Sequence, residues 1–573
     1  MLFRRTEQAD AGKEGTHLIE LEVTGMTCSS CAVHVTAALQ EVEAVVEAKV
    51  PDWQASKALV TVAGEFEEEK LTRSVQRAGY QARILSSRPA STQANSGHGR
   101  ESNADYDLVV IGTGGGGMAA AIRAAENGHK VAIVEAHTVG GTCVNIGCVP
   151  SKALIRAAHA YHMAGHHPFA GLKTKAEGVD WQELIAQKDE LVGELRQKKY
   201  IDVLKSYGDR ITLIQGWAKL DENGDVVVDG KAFKAGRVVV ATGAKPKVLP
   251  LDGIESVEVL NSTTAMALKQ QPKSLIVIGG RAIALELGQA FARLGTKVTI
   301  LQRSSRLVPE HEAEIGEALA DYLRAEGIDV QTGVAPQAIR EENSEKILTA
   351  TVRGEQRVFR AEQLLMAVGR APNTSNLGLE AAGVELDSRG FVVVDEHLQT
   401  SNPKIYAVGD VTTLPKFVYV AAAGGGTAAE NALNGNARSF DLNVLPDVIF
   451  TDPQVATVGL TEAHARSEGY DVKTSTLPLE YVPRALAARD TRGFIKLIAD
   501  RKSDRLLGAH VLAAEAGEVI QTAALAVKMG REHGFTVQNL RDMLFPYLVQ
   551  VEGIKLAAQT FEKDVAQLSC CAG

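Results

Sequence analysis

The sequence predicts an α/β protein. It has two Rossmann-like nucleotide-binding domains and an α+β domain at the C-terminus, preceded by a small βαββαβ, ferredoxin-like unit. Three observations predict this. A buried strand running into a glycine turn and an alanine-rich helix occurs twice, from Tyr106 and again from Ser274. Alternating strand patterns and amphipathic stretches fill residues 17–85. Between them, residues 86–104 hold no Val, Ile, Leu, Phe or Trp and read as a tether. At roughly 100–200 residues per domain, 573 residues leave room for several. Composition narrows the class. With 45% apolar and 23% charged residues the chain is globular, and a net charge of −9 argues against a nucleic-acid binder. No run of about 18 apolar residues predicts a membrane span, and the start lacks the apolar core of a secretion signal.

In the first unit, residues 1–85, HLIELEV reads as a strand, AVHVTAALQEVEAVVEA as a helix and KALVTVAG as a strand. EEEKLTRSVQRAG then reads as a helix and YQARIL as a last strand. A further strand near Glu47–Pro51 would complete βαββαβ. The loop Gly25-Met26-Thr27-Cys28-Ser29-Ser30-Cys31 sets two thiols at a loop–helix junction, where the helix dipole stabilises thiolates. Zinc would want four ligands, and His34 adds at most a third and reads more readily as a solvent or core residue, so Cys28 and Cys31 read as a redox or metal-binding dithiol.

The first dinucleotide unit opens at DLVVIG. Gly112, Gly114 and Gly117 fit G-x-G-x-x-G between strand and helix, letting backbone N–H groups approach a pyrophosphate. Glu135 ends the next strand 23 residues after Gly112, placed to accept from a ribose diol. The second unit, SLIVIGG, keeps Gly279 but has Arg281 at the middle glycine position and Ala284 at the third. The same count of 23 reaches Gln302, not an acid, with Arg303 and Arg306 following. A guanidinium would pair with a 2′-phosphate that a carboxylate would repel, so this site is expected to take NADPH, read by Arg303.

All six cysteines fall in close pairs: Cys28/Cys31, Cys143/Cys148 and Cys570/Cys571. A secreted scaffold would spread them, so they read as redox or metal-binding dithiols in a reducing, cytoplasmic setting. The segment GGTCVNIGCVPSK, Gly140–Lys152, closely resembles the active-site segment of the flavin disulfide reductases. Ala241-Thr242-Gly243 and Tyr406-Ala407-Val408-Gly409-Asp410 are further matches, and the resemblance runs from about Tyr106 to the C-terminus. It implies FAD in the first unit and NADPH in the second. It also implies that Asp410 holds the ribityl chain. Gly117, Gly141, Thr142, Thr242, Gly243 and the backbone at Ala218 and Val418 would contact FAD, and Lys152 would pair with Glu286 near the flavin. Cys148 is expected as the thiolate against the flavin and Cys143 as the exposed, substrate-facing thiol. The implied boundaries are 105–250 and 372–445 for the FAD domain, 251–371 for the NADPH domain and 446–573 for a dimerisation domain with its tail.

Disulfide-handling relatives carry a C-terminal His-Pro…Glu segment whose His acts as acid and base. Here it reads Phe545-Pro546-Tyr547 up to Glu552, with Phe545 in the His position. That ending, together with Ser569-Cys570-Cys571-Ala572-Gly573, resembles the mercuric reductase branch. The branch implies a homodimer and Hg(II) arriving as thiol complexes. Cys570 and Cys571 of one subunit would pass the ion to Cys143 and Cys148 of its partner, beside Tyr200 and Tyr547. GMTCSSC is similar to heavy-metal-associated domains, and Tyr80 sits where mercury-type members place a tyrosine. Two alternatives are a lipoamide- or glutathione-type disulfide reductase and a non-enzymatic Cu(I)/Hg(II) thiol buffer. Phe545 weighs against the first and the intact GGTCVNIGCVPSK against the second.

Overall fold

The computed structural model describes residues 16–26, 35–36, 38–40, 42, 44–50, 56–63, 66–89 and 104–568. They form two units, Met1–Asn103 and Ala104–Gly573.

In the first unit, β1 (Thr16–Thr24), β2 (Val45–Lys49), β3 (Lys57–Ala63) and β4 (Gln81–Pro89) form one sheet in the order β2-β3-β1-β4, with α1 (Glu68–Arg77) before β4. All three pairings are antiparallel. β2 corrects the sequence reading. It begins at Val45, inside the stretch assigned to the first helix, because β-branched Val45 and Val46 favour a pleated edge paired with β3. β4 runs on to Pro89, through residues that composition assigned to the tether. Alternation on β1 and β3 sends Ile19, Leu21, Val23, Ala58, Val60 and Val62 into the core against Leu71 and Val75 of α1.

The second unit begins with β5 (Tyr106–Ile111), α2 (Gly115–Glu126), β6 (Val131–Glu135), α3 (Gly141–Ile146), α4 (Cys148–His166) and α5 (Trp181–Arg196). β7 (Ile211–Gln215), β8 (Ala218–Leu220) and β9 (Ala235–Val240) follow. With the strand Ile405–Ala407 at its edge, the main sheet has the order Ile405–Ala407, β9, β5, β6, β7, all parallel. β5 is apolar throughout because both its faces are covered. Leu108 and Val110 pack on one side with Ala120, Ala121 and Ala124 of α2. Val109 and Ile111 pack on the other.

A second parallel sheet has the order β12 (Asp329–Thr332), β11 (Lys297–Gln302), β10 (Ser274–Ile278), β13 (Gln363–Met366). α6 (Ala282–Arg293) connects β10 to β11. Leu275 and Val277 face one core and Ile276 and Ile278 another, which repeats the two-sided burial of β5. The chain then returns to the first sheet and enters α7 (Val418–Asn434).

The C-terminal region holds β14 (Asp447–Ile449), β15 (Gln454–Gly459), β16 (Val472–Pro478), β17 (Phe494–Asp500) and β18 (Leu506–Ala513). They form an antiparallel sheet in the order β14-β15-β18-β17-β16. α8 (Ala516–His533) and α9 (Glu552–Gln559) bury Val519, Ile520, Ala523 and Ile554 in its core. Among the described residues, no helix is long and apolar enough to cross a membrane.

Candidate active site

The glycine turn after β5 is the floor of the site. A Cβ on Gly117 would lie 1.9 Å from the Gly112 carbonyl oxygen, so α2 sits on the turn only with glycine there. Gly114 precedes α2 without a side-chain cap, which leaves the first N–H groups of the helix for a ligand. Glu135 Oε2 accepts from Thr113 N at 3.1 Å and Thr113 Oγ1 at 2.5 Å, which fixes the carboxylate beside that turn. Gly216 N donates to the Glu135 carbonyl, and Ala218 opens β8 two residues further on. Thr242 Oγ1 donates to Asn373 O at 2.8 Å and Gly243 holds φ +70, closing the Ala241-Thr242-Gly243 turn next to Gly112.

Asp410 follows the edge strand Ile405–Ala407. Burial pushes its carboxyl up, while Arg370 and Lys416 pull it down. Arg370 Nε lies 3.5 Å from Asp410 Oδ2. The first residue of α7, Val418, reaches the glycine turn: its Cγ2 would lie 3.0 Å from a Cβ on Gly115.

The cysteine segment is folded against the same turn. Gly141 takes φ +63, and a Cβ on it would lie 2.5 Å from Gly114 Cα. Asn145 Nδ2 donates to Val139 O and Gly141 O, each at 3.0 Å. α3 stops at Ile146, Gly147 breaks the helical direction, and Cys148 becomes the first residue of α4. This break brings Cys148, at the positive end of a 19-residue helix, to Cys143 one turn earlier. Cys148 is acidified to about 6. The hydrogen bond from Cys143 is the largest cause; burial opposes it and the Lys152 charge assists. The Cys143 thiol is pushed far up by the same hydrogen bond and by burial. Cys148 is exposed and Cys143 half-buried. Electrostatics, not exposure, distinguishes the two thiols, since only Cys148 combines a helix start with a donated S–H.

Lys152 Nζ lies 2.7 Å from Glu286 Oε2, joining α4 to α6. Tyr200 lies in a π-helical turn, Gln197–Ile201, after α5. Burial raises its phenol, and the charges of Cys143 and Cys148 raise it further, which places the ring beside the pair. Tyr547 lies on the C-terminal domain with 56% of its surface exposed, and Phe545 packs partly into that domain's core. Cys28, Cys31, His34, Cys570 and Cys571 fall outside the described residues. Tyr80 is half-buried, and a Cβ on Gly25 would lie 3.9 Å from its ring.

Sequence reading missed two groups here. Arg370 stands close enough to interact with both Asp410 and Cys148. Its only sequence signal is an arginine shortly after a buried strand. Phe450 donates its N–H to Glu286 Oε1 at 3.0 Å and lies 4.5 Å under Lys152 Nζ. It comes from the C-terminal domain and carries no local signal.

Residues 106–425 match the pyridine nucleotide-disulphide oxidoreductase family, and residues 445–558 match its dimerisation domain. Residues 20–81 match the heavy-metal-associated domain. The chain is 45% identical over 554 residues to the mercuric reductase of Staphylococcus aureus, covering 97% of this chain and 99% of that protein. The chain belongs to the mercuric reductase branch of the pyridine nucleotide-disulphide oxidoreductases. To the mercuric reductase of Shigella flexneri it is 46% identical over 573 residues, covering 96% of this chain and all of that protein. The mercuric reductase of Streptomyces lividans aligns along its whole length with 82% of this chain, at 47% identity. Among solved structures, the HOCl-induced flavoprotein disulfide reductase RclA of Escherichia coli superposes with a TM-score of 0.70 at 31% identity, covering 79% of this chain and 99% of that one. Members of this family work with FAD and a nicotinamide nucleotide.

Proposed function

We propose that this chain is a cytoplasmic, homodimeric enzyme that reduces Hg(II) to Hg(0) with NADPH. The balance is NADPH + H⁺ + Hg(SR)₂ → NADP⁺ + Hg(0) + 2 RSH. One observation carries the reading: a dithiol with one acidified member, Cys148, set against the Lys152–Glu286 pair and the first dinucleotide unit. FAD fits that unit, because the uncapped start of α2 suits a pyrophosphate, Glu135 a ribose and half-buried Asp410 a polar chain. Bound there, it would supply a two-electron relay from the nicotinamide to the ion held by the cysteine pair.

The remaining chemistry belongs to the chain's own residues. Cys148, a thiolate at neutral pH, and Cys143, once its proton has passed to a released carrier thiolate, take Hg(II) by ligand exchange. Each S–Hg bond formed releases one carrier thiolate. When two electrons arrive, Hg(II) becomes Hg(0), both S–Hg bonds break and both sulfurs keep their electron pairs. Tyr200 borders the pair, and Tyr547 is the second tyrosine beside the ion. Cys570 and Cys571 hand the ion across the dimer, and Cys28 and Cys31 collect it. A thiophilic ion needs no proton relay, which agrees with Phe545, packed against the core of the C-terminal domain, in the position of the base. The test is anaerobic NADPH oxidation with a Hg(II) bis-thiolate, oxidised glutathione and lipoamide in parallel. One Hg(0) trapped per NADPH is expected. Faster turnover with either disulfide would overturn the reading.

A further inference from the structure

We propose that Arg281 is a diphosphate-binding residue of the second dinucleotide unit, latched by Glu310 until the nucleotide takes it over. The proposal rests on reading that unit as the nicotinamide nucleotide site.

The turn from β10 into α6 is tightly packed. Gly279 takes φ +132, and a Cβ there would lie 2.4 Å from Ala367 O. A Cβ on Gly280 would meet the Gln302 side chain at 2.8 Å. Val308 N donates to Gly280 O at 2.9 Å, so the loop after β11 grips the turn from the other side. Arg281 comes next, in extended backbone, and α6 begins with no side-chain cap. A diphosphate approaching those free N–H groups meets the Arg281 side chain, which is 68% exposed. The Cβ that replaces glycine holds the phosphates off the backbone. A guanidinium offsets this by donating to two phosphate oxygens at once, as an ammonium cannot.

The loop between β11 and residue 312 divides its charges by task. Arg306 turns inward: its Nη2 donates to Pro309 O at 2.8 Å and reaches His311 O at 3.5 Å. It thereby fixes the segment that carries Glu310. Arg303 stays exposed beside Gln302. Glu310 Oε2 lies 3.3 Å from Arg281 Nε, and both side chains face water. An exposed, single-contact pair of this kind contributes little. A diphosphate offers more charge and two-pronged geometry, so it wins the guanidinium. The latch keeps Arg281 extended near the turn rather than free in solvent.

The proposal separates two arginines. Arg281 meets a group common to both nicotinamide nucleotides, whereas Arg303 meets only the 2′-phosphate. The experiment is isothermal titration of NADP⁺ and NAD⁺ into the FAD-loaded, full-length enzyme, with FAD content and circular dichroism as fold controls. R281M should weaken both nucleotides alike, by about tenfold or more. R281K should recover part of that loss, and E310Q should tighten both by up to about fivefold. Unchanged or tighter binding by R281M, or weaker binding by E310Q, would overturn the proposal. Equal wild-type affinity for NADP⁺ and NAD⁺ would remove the role of Arg303 but leave the R281M comparison decisive. If the wild type bound neither nucleotide, the site reading and this proposal would fall together.

Discussion

Cys143→Ala should raise the pKa of Cys148, and the structure sets how far. Cys148 stands at about 6, against about 8.5 for an ordinary thiol, and the S–H donated by Cys143 is the largest cause. A hydrogen bond to a charged group contributes about 1.5–3 kcal/mol, and one pKa unit equals about 1.4 kcal/mol. Losing the donor should therefore lift Cys148 by about 1–2 units, to roughly 7–8. The thiolate fraction at neutral pH then falls from about nine-tenths to half or less. Lys152→Met should act in the same direction but less, because the Lys152 side chain is 34% exposed and its charge is screened. The assay is the pH dependence of Cys148 alkylation in the reduced, FAD-loaded enzyme, followed by mass spectrometry of the Cys148 peptide. A midpoint in Cys143→Ala equal to or below the wild-type value would refute the argument that the neighbouring thiol acidifies Cys148.

Four other outcomes are expected. Arg303→Ala should narrow the preference for NADPH over NADH by about tenfold, one charge-assisted contact, in paired kcat/KM measurements; equal wild-type use of both would show that Arg303 reads nothing. Deleting residues 1–103 should leave a folded, FAD-binding reductase, because Ala104–Gly573 is a compact unit and the relative from Streptomyces lividans aligns along its whole length with 82% of this chain. Loss of activity with FAD retained would make Cys28 and Cys31 obligatory. Replacing Cys570 and Cys571 with alanine should spare NADPH-to-flavin transfer yet lose most turnover with a bulky Hg(II) bis-thiolate, as measured by stopped flow, since a second thiol acts at roughly millimolar effective concentration. Asp452→Asn should lower the thermal midpoint at neutral pH and flatten its acid dependence. Burial alone would raise the Asp452 carboxyl, but His159, Arg293 and Arg492 hold it well below the usual carboxylate range. Its contribution is complete above the unfolded value near 3.9 and is lost as pH falls towards the folded one, so equal acid profiles of variant and wild type would exclude it.

The sequence alone determined the elements whose chemistry is local. The glycine turn at Gly112–Gly117 and the Cys143–Cys148 spacing are legible because each is one continuous segment whose backbone needs those residue types. The doubly covered strands β5 and β10 are legible too, since burial on both faces leaves an unbroken apolar run. Local propensity misled where pairing decides: Val45–Lys49 extends the helical pattern before it, yet becomes a strand because β3 offers an edge. Only the tertiary structure decided which charges meet. Arg370 reaches Asp410 across 40 residues of sequence. Phe450 reaches Glu286, and Asp452 draws together His159, Arg293 and Arg492 from three other segments. Arg303 and Arg306 look alike in sequence, but the loop turns one outward and spends the other on its own carbonyls. Such contacts depend on how elements pack, and a side chain's partner across a domain boundary leaves no periodicity to read.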